Sequence, residues 1–156
     1  MDSDEIKNFY DELADDYDLM TQFEKRFEKE EPAFKMLVER YQLKKVLDAG
    51  CGTGFHSILL AKLGCDVTSV DVSPKMLKIL TENAKIYTVY LKTVLSSYHN
   101  LTKNVDSNFD AVFCLGNSLP HLLTHQNIDI ALKNFYLILA HRGSEWVKMI
   151  DRNSVT

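Results

Sequence analysis

Three of the six glycines in this 156-residue chain stand at alternate positions, Gly50, Gly52 and Gly54, within the run Asp48-Ala49-Gly50-Cys51-Gly52-Thr53-Gly54. Glycines spaced in this way let the backbone approach a ligand where a β-carbon would collide. A helix beginning just beyond them turns its free N–H groups toward the same place. The spacing argues against two common ligands. A dinucleotide fingerprint, GxGxxG, would need glycine at Phe55 counting from Gly50, or at Ser57 counting from Gly52. A phosphate-cradling loop would need Gly-Lys-Ser/Thr, which is absent. An acid, Asp71, closes the next apolar run, and a carboxylate there offers two oxygens to the two hydroxyls of a ribose. Together these residues point to a nucleoside without phosphates, with S-adenosylmethionine as the leading candidate.

The elements that must position these residues are legible in the periodicity. Lys45-Val46-Leu47-Asp48-Ala49 predicts a strand ending at the glycines. Ile58, Leu59, Leu60, Ala61 and Leu63 predict a helix stopped by Gly64, which can take the left-handed cap. Residues 65–70 alternate and are β-branched, predicting a strand closing at Asp71. Ser73-Pro74 is a cap and first-turn pair for a helix through Met76, Leu77, Ile79 and Leu80. Further strands are expected over 88–95, 109–115 and 145–151, the last carrying Trp146 and Met149. The stripe Ile128, Ala131, Leu132, Phe135, Ile138 and Leu139 predicts a helix between the last two strands. The first forty residues read as helical. Phe9, Tyr10, Leu13 and Tyr17 form one stripe and Phe34, Leu37, Val38 and Tyr41 another. The charged run from Glu24 to Glu31 between them reads as a solvated face, with Pro32 in a first turn. Strands alternating with helices predict an α/β fold with a mainly parallel sheet, right-handed crossovers and helices on both faces. The domain expectation is a single unit over 1–156, with a helical cap at 1–42 and a ligand-binding core at 43–156.

Composition narrows the function. A hydrophobic fraction of 46% with 26% charged residues is a globular balance rather than a disordered one. Eighteen basic against 22 acidic side chains, a net charge of −4, argue against a nucleic-acid partner. No apolar run approaches the roughly 18 residues that cross a bilayer, and the acidic, polar start does not resemble a signal peptide. Cys51, Cys65 and Cys114 are odd in number and lack framework spacing, which suits a reduced, cytoplasmic setting. His121 and His125 are spaced i, i+4, but Leu122 stands where a zinc protease has glutamate, so no metal site is expected. No GxSxG nucleophile elbow is present.

With Val46 to Gly54 and Val67-Thr68-Ser69-Val70-Asp71-Val72-Ser73-Pro74-Lys75-Met76-Leu77 in view, the chain resembles the class I S-adenosylmethionine-dependent methyltransferases, whose fold is Rossmann-like. Within them it is most similar to the glycine N-methyltransferase group, through Phe109-Asp110-Ala111-Val112-Phe113-Cys114-Leu115-Gly116-Asn117-Ser118, His121-Leu122, Ala131-Leu132-Lys133-Asn134 and Ile150-Asp151-Arg152-Asn153. The likeness covers most of the chain from about Tyr10 onward. It implies transfer of a methyl group to a small-molecule acceptor, the amine of glycine or a related amino acid, with S-adenosylhomocysteine as product. The alternative is a truncated chain that binds the cofactor without catalysis and serves regulation or interaction.

Carried over by position, the resemblance places Gly50, Cys51, Gly52 and Gly54 under the methionine part of the cofactor, with Asp48 supporting the loop. It gives Asp71 the ribose, brings Val72 and Met76 near the adenine, and sets Ser97 and Tyr98 at the adenine edge. Many relatives carry an acid at the Ser97 position. Leu115 and Gly116 would pass beside the activated methyl. Asn117 would lie in the substrate pocket and Arg152 would clamp the acceptor carboxylate, through paired hydrogen bonds that lysine cannot copy. Arg26 is a candidate ligand for the cofactor carboxylate. Aromatic faces stabilise a sulfonium cation, which makes Tyr17 a candidate on the cofactor side and Tyr10 on the substrate side. Methyl transfer from a sulfonium is an in-line displacement served by alignment, so no acid–base dyad is assigned.

The end of the chain departs from the resembled pattern. The group's sheet has seven strands, the last two antiparallel, and this sequence stops just after the fifth. His141-Arg142-Gly143 stands where the group usually has Pro-Gly-Gly. The expectation is a truncated form lacking the last two strands, or a chain whose uncovered edge is protected by self-association into a homo-oligomer.

Overall fold

The computed structural model describes residues 4–9, 11, 23–115, 124–140 and 149–150. Strands β1 (Lys45–Ala49), β2 (Asp66–Asp71), β3 (Lys92–Leu95), β4 (Ala111–Phe113) and β5 (Met149–Ile150) form one sheet in the order β3-β2-β1-β4-β5. Every pairing is parallel, with Ala49 beside Val70, Asp48 beside Phe113 and Asp71 beside Leu95. The central strand β1 is buried from Val46 to Ala49, as a parallel strand covered on both faces requires. The strand order reverses between β1 and β4, and in open parallel sheets a ligand binds at the carboxyl ends of the strands flanking such a reversal.

The helices α1 (Phe23–Tyr41), α2 (Phe55–Lys62), α3 (Pro74–Ile86), α4 (Leu101–Asn104) and α5 (His125–Ile138) divide between the faces. Strand alternation sends Val46, Ala111 and Phe113 to one core with Phe34, Phe55, Leu59 and Leu60. It sends Leu47, Ala49 and Val112 to the other, with Leu101, Ala131, Phe135 and Ile138. Phe23 and Phe27 of α1 stack on Tyr87 at ring distances of 5.2 and 5.8 Å and meet Phe55 edge-on, which fastens α1 to α2 and the end of α3.

Several boundaries differ from the sequence expectation. Pro32 lies inside α1, not in a first turn. It is exposed, so water can satisfy the carbonyl it orphans, while Phe23, Phe27, Phe34 and Val38 pack the helix across it. The strand expected over 88–95 begins only at Lys92, because Thr88 adopts a left-handed φ of 55° in the turn that ends α3. Of the run 109–115, only Ala111–Phe113 forms strand; Phe109 makes an isolated bridge to Leu139. Of the run 145–151, the described part is β5, paired with Val112 and Phe113. The expected Ser73-Pro74 helix start and the Gly64 left-handed cap, φ 89°, are both observed. Among the described residues, no helix is long and apolar enough to cross a membrane.

Candidate functional site

The glycine loop leaves the carboxyl end of β1 and turns directly into α2. Gly50, Gly52 and Gly54 all have positive φ (74°, 55° and 97°), a backbone region costly to residues with a β-carbon. The loop stays in register with β2, because the Gly50 and Cys51 N–H groups both donate to the Val70 carbonyl, at 2.8 and 3.0 Å. Gly54 is the N-cap of α2, and its N–H donates to the Cys51 carbonyl at 3.0 Å. A β-carbon at Gly54 would lie 2.5 Å from Leu80 Cγ, so α3 packs against the loop more closely than any other residue allows.

Asp71 ends β2 directly beside this loop. Its Oδ2 accepts the Gly52 N–H and its Oδ1 the Ser73 N–H, each at 2.9 Å. Burial pushes the Asp71 carboxyl up from its ordinary range. The backbone N–H groups of Ser73, Gly52 and Val72 pull it back, and the nearby charge of Asp48 pushes the same way as burial. A carboxylate has about four acceptor positions, so the bound N–H groups leave capacity for a ligand hydroxyl. The acceptor capacity of Asp71 and the bare loop beside it thus fit an adenosyl group.

Asp48 sits one layer deeper, at 2% exposure. Its Oδ2 accepts the Ser57 hydroxyl at 2.6 Å, and the Ser57 oxygen in turn accepts the Ser69 hydroxyl at 2.7 Å. Burial raises its carboxyl, opposed by the His56 charge and the Ser57 hydrogen bonds. Asp48 therefore ties β1 to the first turn of α2 beneath the loop. Burial, then the charges of Asp71 and Asp48, drive the Cys51 thiol well above its usual range, which leaves it a protonated, inert side chain.

The structure brings further expected residues to the same edge. The Ser96 N–H donates to the Asp71 carbonyl at 3.0 Å and carries the chain into Ser97 and Tyr98. The Tyr98 hydroxyl lies 3.6 Å from Cys114 Sγ and its ring meets Phe135 edge-on, so that side chain faces the core. Met76 is fully buried and Val72 half-buried. Leu115 follows β4 and is buried at 8% exposure. Tyr10, Tyr17, Gly116, Asn117, His121, Trp146 and Arg152 lie outside the described residues. Arg26 has partners of its own. Its Nε donates to Glu30 Oε1 at 3.2 Å and its guanidinium lies 4.0 Å over the Phe55 ring. Among the described residues, no group of three or more His, Cys, Asp or Glu is placed to hold a metal ion.

Other contacts go beyond the sequence expectations. His56, in the first turn of α2, lies 2.8 Å from Glu30 Oε2, so the charged run of α1 turns Arg26 and Glu30 inward instead of solvating them all. Burial alone would raise the Glu30 carboxyl. His56, by hydrogen bond and charge, and then Arg26 outweigh it and hold Glu30 down at about 2. Asn134 donates to the Tyr98 and His99 carbonyls at 2.7 and 3.2 Å, fixing the turn after β3 from α5. The signal available was an asparagine adjoining the apolar stripe of a helix, where burial demands a partner. Asp11 accepts the Ser73 hydroxyl, which brings this residue to the N-cap of α3 just beyond β2.

Comparison with known proteins agrees with this geometry. Residues 46–143 match the methyltransferase domain family. A glycine/sarcosine N-methyltransferase of Aphanothece halophytica is 40% identical over 143 residues, covering 91% of this chain and 54% of that protein. The glycine N-methyltransferase of Rattus norvegicus is 35% identical over 130 residues, covering 71% of this chain and 44% of its own. An S-adenosylmethionine-dependent methyltransferase from Clostridium acetobutylicum shares the fold, with a TM-score of 0.68 over 83% of this chain and 53% of that one, at 20% identity. The chain spans about half the length of the curated relatives it matches.

The parallel order β3-β2-β1-β4-β5, with a glycine loop where it reverses and a carboxylate at the end of the neighbouring strand β2, is the Rossmann-like fold of the class I S-adenosylmethionine-dependent methyltransferases. The chain belongs to the methyltransferase domain family, and its similarity within that family is to the glycine/sarcosine N-methyltransferases.

Proposed function

We propose that this chain carries the S-adenosylmethionine site of an N-methyltransferase whose acceptor is the amine of glycine or of a related small amino acid such as sarcosine. The observation that carries the cofactor reading is the Asp71 carboxylate at the end of β2, held beside the bare backbone at Gly52 in the loop that leaves β1 where the sheet order reverses. The similarity to glycine/sarcosine N-methyltransferases carries the acceptor reading.

In this reading Gly50, Cys51, Gly52 and Gly54 hold the methionine part from beneath, and Asp48 stiffens their base. Asp71 accepts the ribose hydroxyls. Val72 and Met76 border the adenine, and Ser97 with the Tyr98 backbone forms its polar edge. Leu115 and Gly116 flank the reacting methyl, with Tyr17 toward the sulfonium. Tyr10, Asn117 and Arg152 receive the acceptor, with Arg152 gripping its carboxylate. S-adenosylmethionine supplies a methyl group on a sulfonium, a leaving group already in place. The chain's own task is therefore to align the acceptor nitrogen behind that methyl, keep the amine neutral by desolvation and exclude water.

The test is incorporation of labelled methyl from S-adenosylmethionine into glycine, sarcosine and a panel of other amino acids by the 156-residue chain. The proposal expects sarcosine from glycine or dimethylglycine from sarcosine. Cofactor binding with no transfer to either acceptor would overturn the acceptor assignment.

A further inference from the structure

We propose that Asn83 and Leu80, neighbours on one face of α3, are positioning residues that hold the glycine loop in its ligand-binding shape. The inference rests on the reading of that loop as the cofactor site. Asn83 Nδ2 donates to the Thr53 carbonyl at 3.0 Å. The N–H of the same Thr53–Gly54 peptide unit donates to Cys51, so the plane of this peptide is held at both ends. Leu80, fully buried, fills the space above Gly54 so closely that no β-carbon fits between them.

These contacts close a circuit. Asp71 accepts from Gly52 on the loop and from Ser73, which caps α3 by accepting the Met76 N–H at 3.1 Å. From there α3 runs rigidly to Leu80 and Asn83, which return to Gly54 and Thr53. Because α3 is one stiff rod, Asn83 sets how far the loop stands from the carboxylate that starts the circuit. Without it, the Thr53 carbonyl loses this side-chain donor, and the peptide plane, though still tied through the Gly54 N–H to the Cys51 carbonyl, rotates more easily. The glycines beside it offer little resistance to that rotation.

The discriminating substitution is Asn83→Asp, which keeps the shape of the side chain and replaces the donor with an acceptor facing the Thr53 carbonyl. Three quantities are read: amide hydrogen exchange, affinity for S-adenosylhomocysteine by calorimetry, and the melting temperature. The proposal expects exchange at Gly52 and Gly54 to quicken about tenfold and affinity to fall about tenfold, the scale of one hydrogen bond. Exchange in β2 stays as in the parent chain. Unchanged loop exchange with unchanged affinity would overturn it. A fall in melting temperature with uniformly faster exchange would overturn it too, because that is the mark of a merely structural residue.

If Asn83→Asp does not fold, Asn83→Ala, which removes the donor without adding repulsion, carries the same test. Failure of both to fold would also assign Asn83 a structural role and overturn the proposal. If the parent chain binds no S-adenosylhomocysteine, the proposed function fails, and the exchange measurement still decides the clamp by itself.

Discussion

The Gly52 N–H donates to Asp71 Oδ2 at 2.9 Å, across 19 residues of sequence and from one strand end to the next. One carboxylate thus shapes the loop after β1 while standing at the end of β2. A ligand that touches both contacts a surface whose two halves are already bonded together, and little ordering entropy is left to lose on binding.

Asp71→Ala removes the charged acceptor and releases the Gly52 and Ser73 N–H groups. Hydrogen bonds to charged groups contribute about 1.5–3 kcal/mol each. The affinity for S-adenosylhomocysteine should therefore fall by about 30-fold or more in a calorimetric titration, with circular dichroism retaining the parent helix content.

Burial, reinforced by Asp48, lifts the Asp71 carboxyl above its usual range even though three backbone N–H groups oppose the shift. The proposed ribose contact needs the ionised form, so affinity is expected above the raised value and is lost as pH falls through it. Titrations between pH 8 and pH 4 should show the loss beginning above the ordinary carboxylate value of about 4. Asp48→Asn removes a like charge while still accepting from Ser57, and should move that midpoint to lower pH.

Gly54→Ala places a β-carbon 2.5 Å from Leu80 Cγ at a φ of 97°. Overpacking and left-handed strain together cost about 2–4 kcal/mol, which for a chain of this size lowers the melting temperature by about 5–15 °C. Leu80→Ala in the same chain relieves the collision. Calorimetric melting of the four proteins should give a double-variant loss smaller than the sum of the single losses.

Glu30 links α1 to α2 through His56 and Arg26, and its carboxyl is held near 2, against 4.5 for the free group. A depressed folded value gives stability that is full above the unfolded pKa and disappears as pH falls from about 4.5 toward 2. The site is partly open to solvent, so screening leaves about 1–2 kcal/mol of that gain. Urea unfolding of Glu30→Gln should show a deficit of this size at pH 7 that narrows as the pH drops below 4.5.

Much of the fold and of the candidate site's local geometry was legible because the determinants are local and dense. The Gly50-x-Gly52-x-Gly54 spacing, the acid closing the next apolar run and the Ser73-Pro74 helix start each lie within a few residues, and all point to the same fold. The contacts that complete the site were not legible. Asn83 and Asn134 act on carbonyls 30 and 36 residues away, and a single amide on an amphipathic helix does not declare its partner. The Arg26–Glu30–His56 pairing hid in a run whose mixed charge reads as solvated, although only its outward members are. Thr88, Val89 and Tyr90 have β propensity, which extends the expected strand back to 88, whereas the turn ending α3 decides their conformation.

The central claim is that the bare loop and Asp71 receive an adenosyl group. Isothermal titration of the chain with S-adenosylhomocysteine, alongside Asp71→Ala, tests it most directly. The account predicts one site per chain in the parent protein and a marked loss in the variant. No binding heat and no thermal shift in the folded parent chain, or equal affinity in the two proteins, would contradict it.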